Sequence, residues 1–510
     1  MKTIGRAVLC LSLVALLGAC ASAPIDYPRT PSAALTDTGG TALAKASADW
    51  RKQSPISNGF YPLTRGKDAF GARLKLIEAA AASIDVQYFL MKPDDAGLVF
   101  SAKLIEAADR GVRVRFLLDD IFTTVDDVGL SLLDEHPNIE LRIFNPVSRK
   151  GIEALNYAGN FKLANRRMHN KSFTVDNQVS IVGGRNIAAE YFQLETSGEF
   201  IDFDMLASGP IVQEISASFD TYWNHKLAVP FEAMLTDKVR GEQEQRHQEA
   251  VQKIRQSGYS IYADVTNTEV MQQLLAGELD PYLAGARMIV DDPDKLLNKI
   301  SIEQQRVTRE IWRLLNAAQS EIIIYTPYFI PRERGLDLIR ALTARGVRIV
   351  LITNSLATNN HTPVHSAYAS HRRDVLEAGV ELWEARADAA KITAPDGSTQ
   401  LEQLTLHTKG ILIDRQMIFV GSLNLDPRSI DINTEMGVLI ESPDLAGKLT
   451  DSTLAGVGSM AYRVKMDENR KLSWHATIDG REVVETREPQ TSAWRRFQAW
   501  FMKIAPEDQL

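Results

Sequence analysis

The chain has 510 residues, of which 45% are hydrophobic and 24% are charged, and it carries a net charge of −8 with a pI near 5.7. This length allows two or more domains with full cores. The acidic balance argues against a nucleic-acid-binding protein, because such proteins usually carry a basic excess.

The N-terminus predicts a targeting segment. Lys2 and Arg6 precede an apolar run over residues 7–17 that is too short to span a bilayer. The run ends in Leu17-Gly18-Ala19-Cys20, which resembles a bacterial lipobox. We therefore expect a signal peptide over residues 1–20 and lipid attachment at Cys20; a plain signal peptide or a cytoplasmic anchor are the alternatives.

The residues after Cys20 bear on where the mature protein is located. Ala21 follows the lipobox cysteine, and resemblance to envelope lipoproteins implies an outer-membrane location facing the periplasm. Cys10 is the only other cysteine, so its removal with the signal leaves no possible disulfide. Residues 21–55 are rich in Ala, Thr, Ser, Gly and Pro and predict a flexible tether.

Two later stretches repeat one order of elements. Residues 76–120 predict helix, strand, helix and strand, and residues 307–354 predict the same. In both stretches the second helix ends in Arg-Gly-Val-Arg, at offset 235 (345 minus 110). Such agreement indicates a duplication. Alternating strands and helices predict an α/β fold with an N-terminal half over residues 56–230 and a C-terminal half over 301–450.

The remaining segments predict connections and a small C-terminal region. Residues 231–300 form a linker or insertion, whose polar part, 236–256, is either a solvated connecting helix or a lid. Residues 451–510 predict a hairpin over Tyr462–Glu485 and a helix over Trp494–Ile504. That helix carries Trp494, Phe497, Phe501 and Ile504 on one face. It is either an interfacial membrane helix or a helix packed on the protein.

One motif, H-x-K-x(4)-D-x(6)-G-[GS]-x-N, occurs twice with identical spacing, and 238 residues separate its two histidines (407 minus 169). The first copy comprises His169, Lys171, Asp176, Gly183, Gly184 and Asn186. The second comprises His407, Lys409, Asp414, Gly421, Ser422 and Asn424. Two copies predict one active site built from two halves.

Strand parity separates the motif residues. The runs 168–175 and 406–413 read as strands, so that the His and the Lys of each copy point the same way. Asp176 and Asp414 have the opposite parity and begin a turn, which predicts a structural role through local hydrogen bonds. Asn186 and Asn424 follow small residues and could donate hydrogen bonds to a ligand.

A site with two histidines, two lysines and two asparagines suits a phosphodiester. Two ammonium groups and two amides stabilise charge on phosphoryl oxygens, one His attacks phosphorus, and the other protonates the leaving alkoxide. The same set is a poor metal site, so we expect neither metal nor cofactor. The strand after each motif also supplies a carboxylate, Asp202 or Glu435. We predict that these two orient the histidines, the alternative being ordinary strand-end carboxylates.

The paired motifs resemble those of the phospholipase D superfamily over residues 58–443. Shorter segments resemble bacterial cardiolipin synthases, particularly their C type. These segments are Leu117-Leu118-Asp119-Asp120, Thr326-Pro327-Tyr328-Phe329-Ile330-Pro331, Thr353-Asn354-Ser355-Leu356, Val364-His365-Ser366-x-Tyr368 and Asn424-Leu425-Asp426-Pro427-Arg428-Ser429.

The resemblance implies two α/β/α sandwich halves sharing one active site at their interface. It implies that His169 is the nucleophile, forming a phosphohistidine, and that His407 is the general acid and base, although the symmetry of the halves allows the reverse.

The leading functional hypothesis is a membrane-bound phosphatidyltransferase. Its expected substrates are phosphatidylglycerol, phosphatidylethanolamine or cardiolipin, and no nucleic acid is expected. The alternatives are hydrolysis to phosphatidic acid, a nuclease, or an envelope scaffold without activity.

Overall fold

The computed structural model describes most of the chain: residues 23–46, 57–149, 161–194, 199–236, 260–276, 280–298, 304–389, 404–504 and 507–509, with residues 156, 159, 239, 249, 252, 278, 300–301, 391–393 and 399–401 between them. The predicted signal peptide with Cys20, and most of the polar segment 236–256, lie outside the described residues.

The N-terminal half is built on a mixed sheet. Its strands are β1 (Asn58–Leu63), β2 (Ser83–Tyr88), β3 (Arg113–Asp119), β4 (Ile139–Phe144), β5 (Ser172–Val175), β6 (Val179–Gly183), β7 (Glu199–Ile201), β8 (Asp204–Ser208) and β9 (Ala228–Pro230). The sheet order is β1-β8-β6-β5-β2-β3-β4-β9, with β2, β3 and β4 parallel and the other pairs antiparallel.

The C-terminal half repeats this sheet. Its strands are β10 (Tyr282–Val290), β11 (Glu321–Tyr325), β12 (Arg348–Asn354), β13 (Glu381–Ala385), β14 (Lys391–Thr393), β15 (Thr399–Leu401), β16 (Leu404–Leu406), β17 (Gly410–Ile413), β18 (Met417–Gly421), β19 (Met436–Glu441), β20 (Ala461–Met466), β21 (Leu472–Ile478) and β22 (Arg481–Glu485). The order β10-β19-β18-β17-β11-β12-β13 matches the first sheet, and β20-β21-β22 extends it.

Strand β10 joins the two sheets. Its first residues pair with β1, and Gly285 onward pair with β19. The sheets therefore form one continuous surface. The span 231–300, which the sequence predicted as a linker or insertion, thus contains a strand that pairs with both sheets.

The α-helices are α1 (Ala42–Ala46), α2 (Gly66–Ala79), α3 (Asp95–Asp109), α4 (Asp127–Asp134), α5 (Phe161–Ala164), α6 (Ile211–Trp223), α7 (Glu269–Ala276), α8 (Arg306–Ala317), α9 (Arg332–Ala344), α10 (Thr362–Glu377), α11 (Pro443–Met460) and α12 (Ala493–Phe501). Side chains of Asp94, Asp126, Ser442 and Ser492 cap the starts of α3, α4, α11 and α12. None of the described helices has both the length and the apolar character needed to cross a bilayer.

Three sequence-based boundaries change. The strand predicted over 322–329 ends at Tyr325, before Pro327, whose missing N–H cannot continue a ladder. The predicted C-terminal hairpin is a three-stranded extension of the sheet, and the predicted boundary at 450/451 falls inside α11.

The N-terminal segment packs on the first half. Arg29 donates to the carbonyl oxygens of His225 (3.1 Å) and Ala228 (3.0 Å), and Trp223 Nε1 donates to Ser32 Oγ at 2.9 Å. These bonds span more than 190 residues of chain. The predicted flexible tether therefore does not describe this part of residues 21–55, because buried polar partners on the first half hold it.

Candidate active site

Each motif enters its strand from a segment that is hydrogen-bonded to the opposite half. Met168 pairs with Thr434, and β16 pairs with β7 in parallel. The His169 N–H donates to the Thr434 carbonyl at 3.0 Å, and the His407 N–H donates to the Ile201 carbonyl at 2.7 Å. The predicted strands 168–175 and 406–413 therefore continue within their own sheets only from Ser172 and Gly410, because the backbone before those residues bonds to the other half.

The two histidines are held by carboxylates in a crossed arrangement. His169 Nδ1 lies 2.9 Å from Glu435 Oε2 and 3.1 Å from Oε1, and His407 Nδ1 lies 2.6 Å from Asp202 Oδ2. All four side chains are buried. Each carboxylate thus follows one motif in sequence but contacts the histidine of the other. With Nδ1 donating to a carboxylate, Nε2 of each ring keeps its lone pair for chemistry.

The lysines lie beside the histidines. Lys171 Nζ donates to the His169 carbonyl at 2.7 Å, and Lys409 Nζ donates to the His407 carbonyl at 2.6 Å. Lys409 Nζ also lies 2.9 Å from Nδ1 and 3.0 Å from Nε2 of His407. Burial lowers the pKa of both lysines, that of Lys171 most strongly. Two buried lysines thus lie beside two imidazoles, and an anionic ligand would favour their charged forms.

Burial and like charges control the protonation of this cluster. Burial lowers the pKa of both histidines well below 6.5, and the charges of Lys171 and Lys409 lower it further. Because each imidazole is affected by the lysine of the opposite half, the two half-sites form one electrostatic unit. Burial also lowers the pKa of Lys409 to about 8 and raises that of Glu435 to about 7. Before an anion binds, both imidazoles are thus neutral near pH 7.

The two asparagines reach the site with unequal freedom. Asn186 Nδ2 donates to the Tyr191 hydroxyl at 3.0 Å, so donation to a ligand, as the sequence predicted, requires it to exchange that partner. The Oδ1 atoms of Asn186 and Asn424 are buried and have no hydrogen-bond partner among the described residues. Unpaired buried amide oxygens are costly, which favours a ligand or water donor at this point.

The motif aspartates are structural, but their partners are remote. Asp176 accepts from the backbone N–H groups of Ala81, Ala82 and Ser83 at 2.7–3.2 Å, where the chain enters β2. Asp414 accepts in the same way from residues 319–321 before β11. Both begin turns with positive φ at two successive residues. In place of the local hydrogen bonds that the sequence predicted, each aspartate bonds to the segment that enters the neighbouring strand and so joins its turn to that strand.

Sequence reasoning did not find the aromatic walls of the site. The ring of Phe89 stands edge-on to His169 at 4.8 Å, Phe200 stacks on His407 at 5.3 Å, and Tyr191 lies edge-on to His407 at 5.0 Å. These rings cover part of both imidazoles, each of which is 7% exposed. Phe89 follows β2, and Phe200 lies in β7, but neither carries a sequence signal that would distinguish it from core.

Asp119 belongs to the segment Leu117-Leu118-Asp119-Asp120, for which the sequence predicted no role. It ends β3, accepts from the Met168 N–H at 2.9 Å, and pairs with Arg167 at 3.1 Å. Burial raises its pKa to about 7. Asp119 therefore positions the segment that leads into His169. Its place after a buried strand, where polar residues gather at a sheet edge, was the signal that could have found it.

Comparisons with known proteins agree with this geometry. The family model described as "Cardiolipin synthase, PLD-like domain" matches residues 74–223 and 311–453, more than half of the chain. The chain is 35% identical to Cardiolipin synthase C of Escherichia coli, with 92% of this chain and 99% of that protein covered. An uncharacterized protein of Helicobacter pylori is 29% identical, with 96% and 95% covered.

A solved structure resembles the whole fold. The crystal structure of phosphatidylserine synthase from Haemophilus influenzae matches with a TM-score of 0.53 at 15% identity, covering 82% of this chain and 91% of that one. At this identity the match concerns the fold alone. Together with the family model and the Escherichia coli relative, it completes the assignment: the chain is an enzyme of the phospholipase D superfamily and is cardiolipin synthase-like.

Proposed function

We propose that this protein transfers a phosphatidyl group between phospholipid head groups through a phosphohistidine intermediate. The observation that carries the proposal is the crossed pair of His–carboxylate contacts, with both lysines in the same buried site. Cardiolipin synthase C of Escherichia coli, related over nearly the whole chain, supports a phospholipid substrate.

In the first step, Nε2 of His169 attacks phosphorus. A P–N bond forms, the P–O bond to the leaving head group breaks, and His407 gives its Nε2 proton to the departing alkoxide. Since His407 is neutral in the free site, the anionic phosphodiester must first raise its pKa, as a nearby opposite charge does. Lys171 and Lys409 stabilise the phosphoryl oxygens.

In the second step, an acceptor hydroxyl replaces the first head group. His407 takes the hydroxyl proton, the oxygen attacks phosphorus, and the P–N bond breaks, returning His169 to its starting form. With the glycerol head group of phosphatidylglycerol as acceptor, the product is cardiolipin. Glu435 and Asp202 stabilise the charged forms of the imidazoles during the cycle.

Mass spectrometry of the products from a defined phospholipid mixture tests the proposal. We expect cardiolipin to form from phosphatidylglycerol with the wild-type protein and not with His169→Ala. Labelled phospholipid with and without added alcohol separates transfer from hydrolysis. Phosphatidic acid as the only product, whatever alcohol is present, would replace transfer by hydrolysis; no turnover of phospholipid would reject both.

We also propose that α12 rests on the bilayer. Trp494 is 65% exposed and Trp500 64%, and Ile504, in the turn that follows the helix, is 76% exposed. Arg495 and Arg496 in the helix and Lys503 in the turn carry positive charge that suits anionic lipids.

The helix is attached to the rim of the site. Arg495 donates to the carbonyl oxygens of Leu356 (2.9 Å) and Asn359 (2.6 Å), and the nearby His361 ring lies 5.4 Å from Tyr328. A membrane-bound α12 would thereby place this rim near lipid head groups.

Vesicle sedimentation tests this docking. With vesicles containing phosphatidylglycerol, we expect the double variant Trp494→Ala/Trp500→Ala to bind about tenfold more weakly. Val484→Ala, which removes a side chain that is 49% exposed on β22, is the matched control. Equal binding by all three proteins would reject the role of α12. The proposed anchor is tested separately by Cys20→Ser and fractionation of the envelope, where loss of outer-membrane association is expected.

A further inference from the structure

An apolar cavity of 310 Å³ is lined mainly by the C-terminal sheet and α11, and Thr64 and residues 201–203 of the N-terminal half complete its lining. Ile352, Leu406, Leu412 and Ile418 are among the side chains that line it, from β12, β16, β17 and β18. It extends from Ser452, which is exposed, to the buried Asp202 beside His407. Its volume is at the lower end of the range for ligand pockets, about 300 to 1000 Å³.

The duplicated N-terminal half fills the equivalent space. Aligning Gly209-Pro210 with Ser442-Pro443 places Phe219 of α6 opposite Ser452 and Trp223 opposite Gly456. The strand pairings place Phe144 of β4 opposite Ala385. Three positions of the N-terminal half thus correspond to three of the C-terminal half: Phe144 to Ala385, Phe219 to Ser452, and Trp223 to Gly456.

All three positions of the C-terminal half line the cavity. The three aromatic side chains of the N-terminal half are at most 1% exposed and belong to one core cluster, in which the rings of Phe219 and Trp223 stack at 5.6 Å. Three aromatic residues in one half thus correspond to an alanine, a serine and a glycine in the other, and the cavity is the space that they leave.

The glycine makes a packing defect a poor explanation. Gly456 lies inside the 18-residue helix α11, where glycine is a weak helix former, and a Cβ added there would meet no atom within 4 Å. A larger residue would therefore both strengthen the helix and fill the cavity. Retaining glycine at this point keeps an apolar space open that water does not favour.

We propose that this cavity binds a single hydrocarbon chain. Two polar groups of the lining are already paired, since the carboxylate of Asp202 accepts from His407, and the Thr408 hydroxyl donates to the Ile201 carbonyl at 3.1 Å. The interior therefore suits the apolar part of a ligand, with any charged head group outside. The bound hydrocarbon chain belongs either to a phospholipid substrate or to a free fatty acid. The phospholipid substrate as the source rests on the proposed function, whereas the binding of a hydrocarbon chain does not.

Fluorescence titration with parinaric acid tests the proposal on the full-length protein. We expect saturable binding by the wild type and at least a tenfold loss of affinity in Gly456→Leu. Gly458→Leu is the matched control, because it adds the same side chain to the same helix at a position that does not line the cavity and where a Cβ also meets no atom within 4 Å.

A second variant keeps the test decisive if Gly456→Leu fails to fold. Ser452→Phe reproduces the residue of the N-terminal half at the exposed end of the cavity, and we expect it to weaken probe binding as well. Unchanged affinity in a folded Gly456→Leu or Ser452→Phe protein would overturn the proposal. So would the absence of saturable binding by the wild type.

Competition identifies the source of the chain. Displacement of the probe by dipalmitoyl phosphatidylglycerol but not by the dihexanoyl lipid indicates a substrate chain, and Gly456→Leu should then raise KM for the long-chain lipid alone. Displacement only by palmitate indicates a separate fatty acid ligand. Both outcomes support the chain site. The titration can be repeated with the inactive His169→Ala protein, so a failure of phosphatidyl transfer remains distinguishable from a failure of chain binding.

Discussion

The two halves position equivalent histidines with different side chains. The N-terminal half supplies Asp202 and has Gly184 beside it, whereas the C-terminal half supplies Glu435 and has Ser422 beside it. A Cβ at Gly184 would lie 2.1 Å from Asp202 Oδ1, while the Ser422 hydroxyl donates to Glu435 at 2.5 Å. The shorter acid, Asp202, thus requires the smaller neighbour, Gly184. The Gly-or-Ser position of the motif therefore depends on the length of a carboxylate that lies 13 to 18 residues later.

The same comparison extends to the face of each sheet that α6 or α11 covers. Aromatic side chains fill the space under α6, and an apolar cavity remains under α11. The duplication preserved the order of strands and helices, whereas the side chains that occupy this space differ between the two halves. One half is thus a natural control for the other.

The largest expected effect separates the roles of the two histidines. Both His169→Ala and His407→Ala should reduce turnover by about 10³-fold or more, because each loses its nucleophile or its acid. Only His407→Ala should still form a covalent adduct, with a substrate whose leaving group needs no protonation. Trapping of acid-labile, base-stable labelled protein measures this. Adduct formation by His169→Ala alone would reverse the assignment.

The crossed carboxylates come next. Glu435→Gln should impair His169, and Asp202→Asn should impair His407, each by about 10²-fold in kcat. Glu435→Gln should therefore slow adduct formation with an activated substrate, while Asp202→Asn should not. Pre-steady-state kinetics distinguishes them. The opposite pattern would mean that the crossed contacts do not orient the histidines.

The difference between Gly184 and Ser422 can be tested by exchange. Gly184→Ser should reduce kcat/KM by about 10²-fold, because the new side chain displaces Asp202. Adding Asp202→Glu should restore activity to within about tenfold by reproducing the pair of the other half. Ser422→Gly should cost about tenfold, the loss of one hydrogen bond to a charged group. No rescue by the double variant would show that the two positions are independent.

The pH dependence should also reflect the two halves. Below about pH 7 Glu435 becomes protonated and loses the negative charge that stabilises the charged form of the His169 imidazole, so kcat/KM should fall as pH decreases. Above about pH 8 Lys409 loses its charge, and kcat/KM should fall again. The expected profile is a bell with about tenfold loss per pH unit on each side. Glu435→Gln should remove the acidic limb and leave the alkaline one; an unchanged acidic limb would assign it to another group.

The smallest effect concerns stability. Asp176 is buried and Asp414 is half-buried, although both accept three backbone N–H groups. We expect Asp176→Ala to lower the free energy of unfolding by about 2–3 kcal/mol and Asp414→Ala by about 1 kcal/mol, since water replaces lost bonds at the more exposed site. Urea denaturation followed by circular dichroism measures both. Equal losses would show that burial does not distinguish them.

The sequence by itself determined the duplication, the α/β class and the twelve residues of the two motif copies. Identical motif spacing and the alternation of strands and helices are patterns within the sequence, so they can be recognised without knowledge of the packing. The same logic identified Asp202 and Glu435 as equivalent positions. It also located the turn aspartates, although their remote partners before β2 and β11 were not visible.

Only the tertiary structure decided which atoms meet. The crossing of Glu435 to His169 and of Asp202 to His407 depends on how two sheets, joined by β10, face each other. Strand β10 lies within the span that the sequence predicted as a linker or insertion, and its pairing with both sheets joins residues far apart in the chain. Packing of residues 23–46, the aromatic walls and the cavity under α11 likewise follow from which side chains share a space, a relation that sequence separation does not encode.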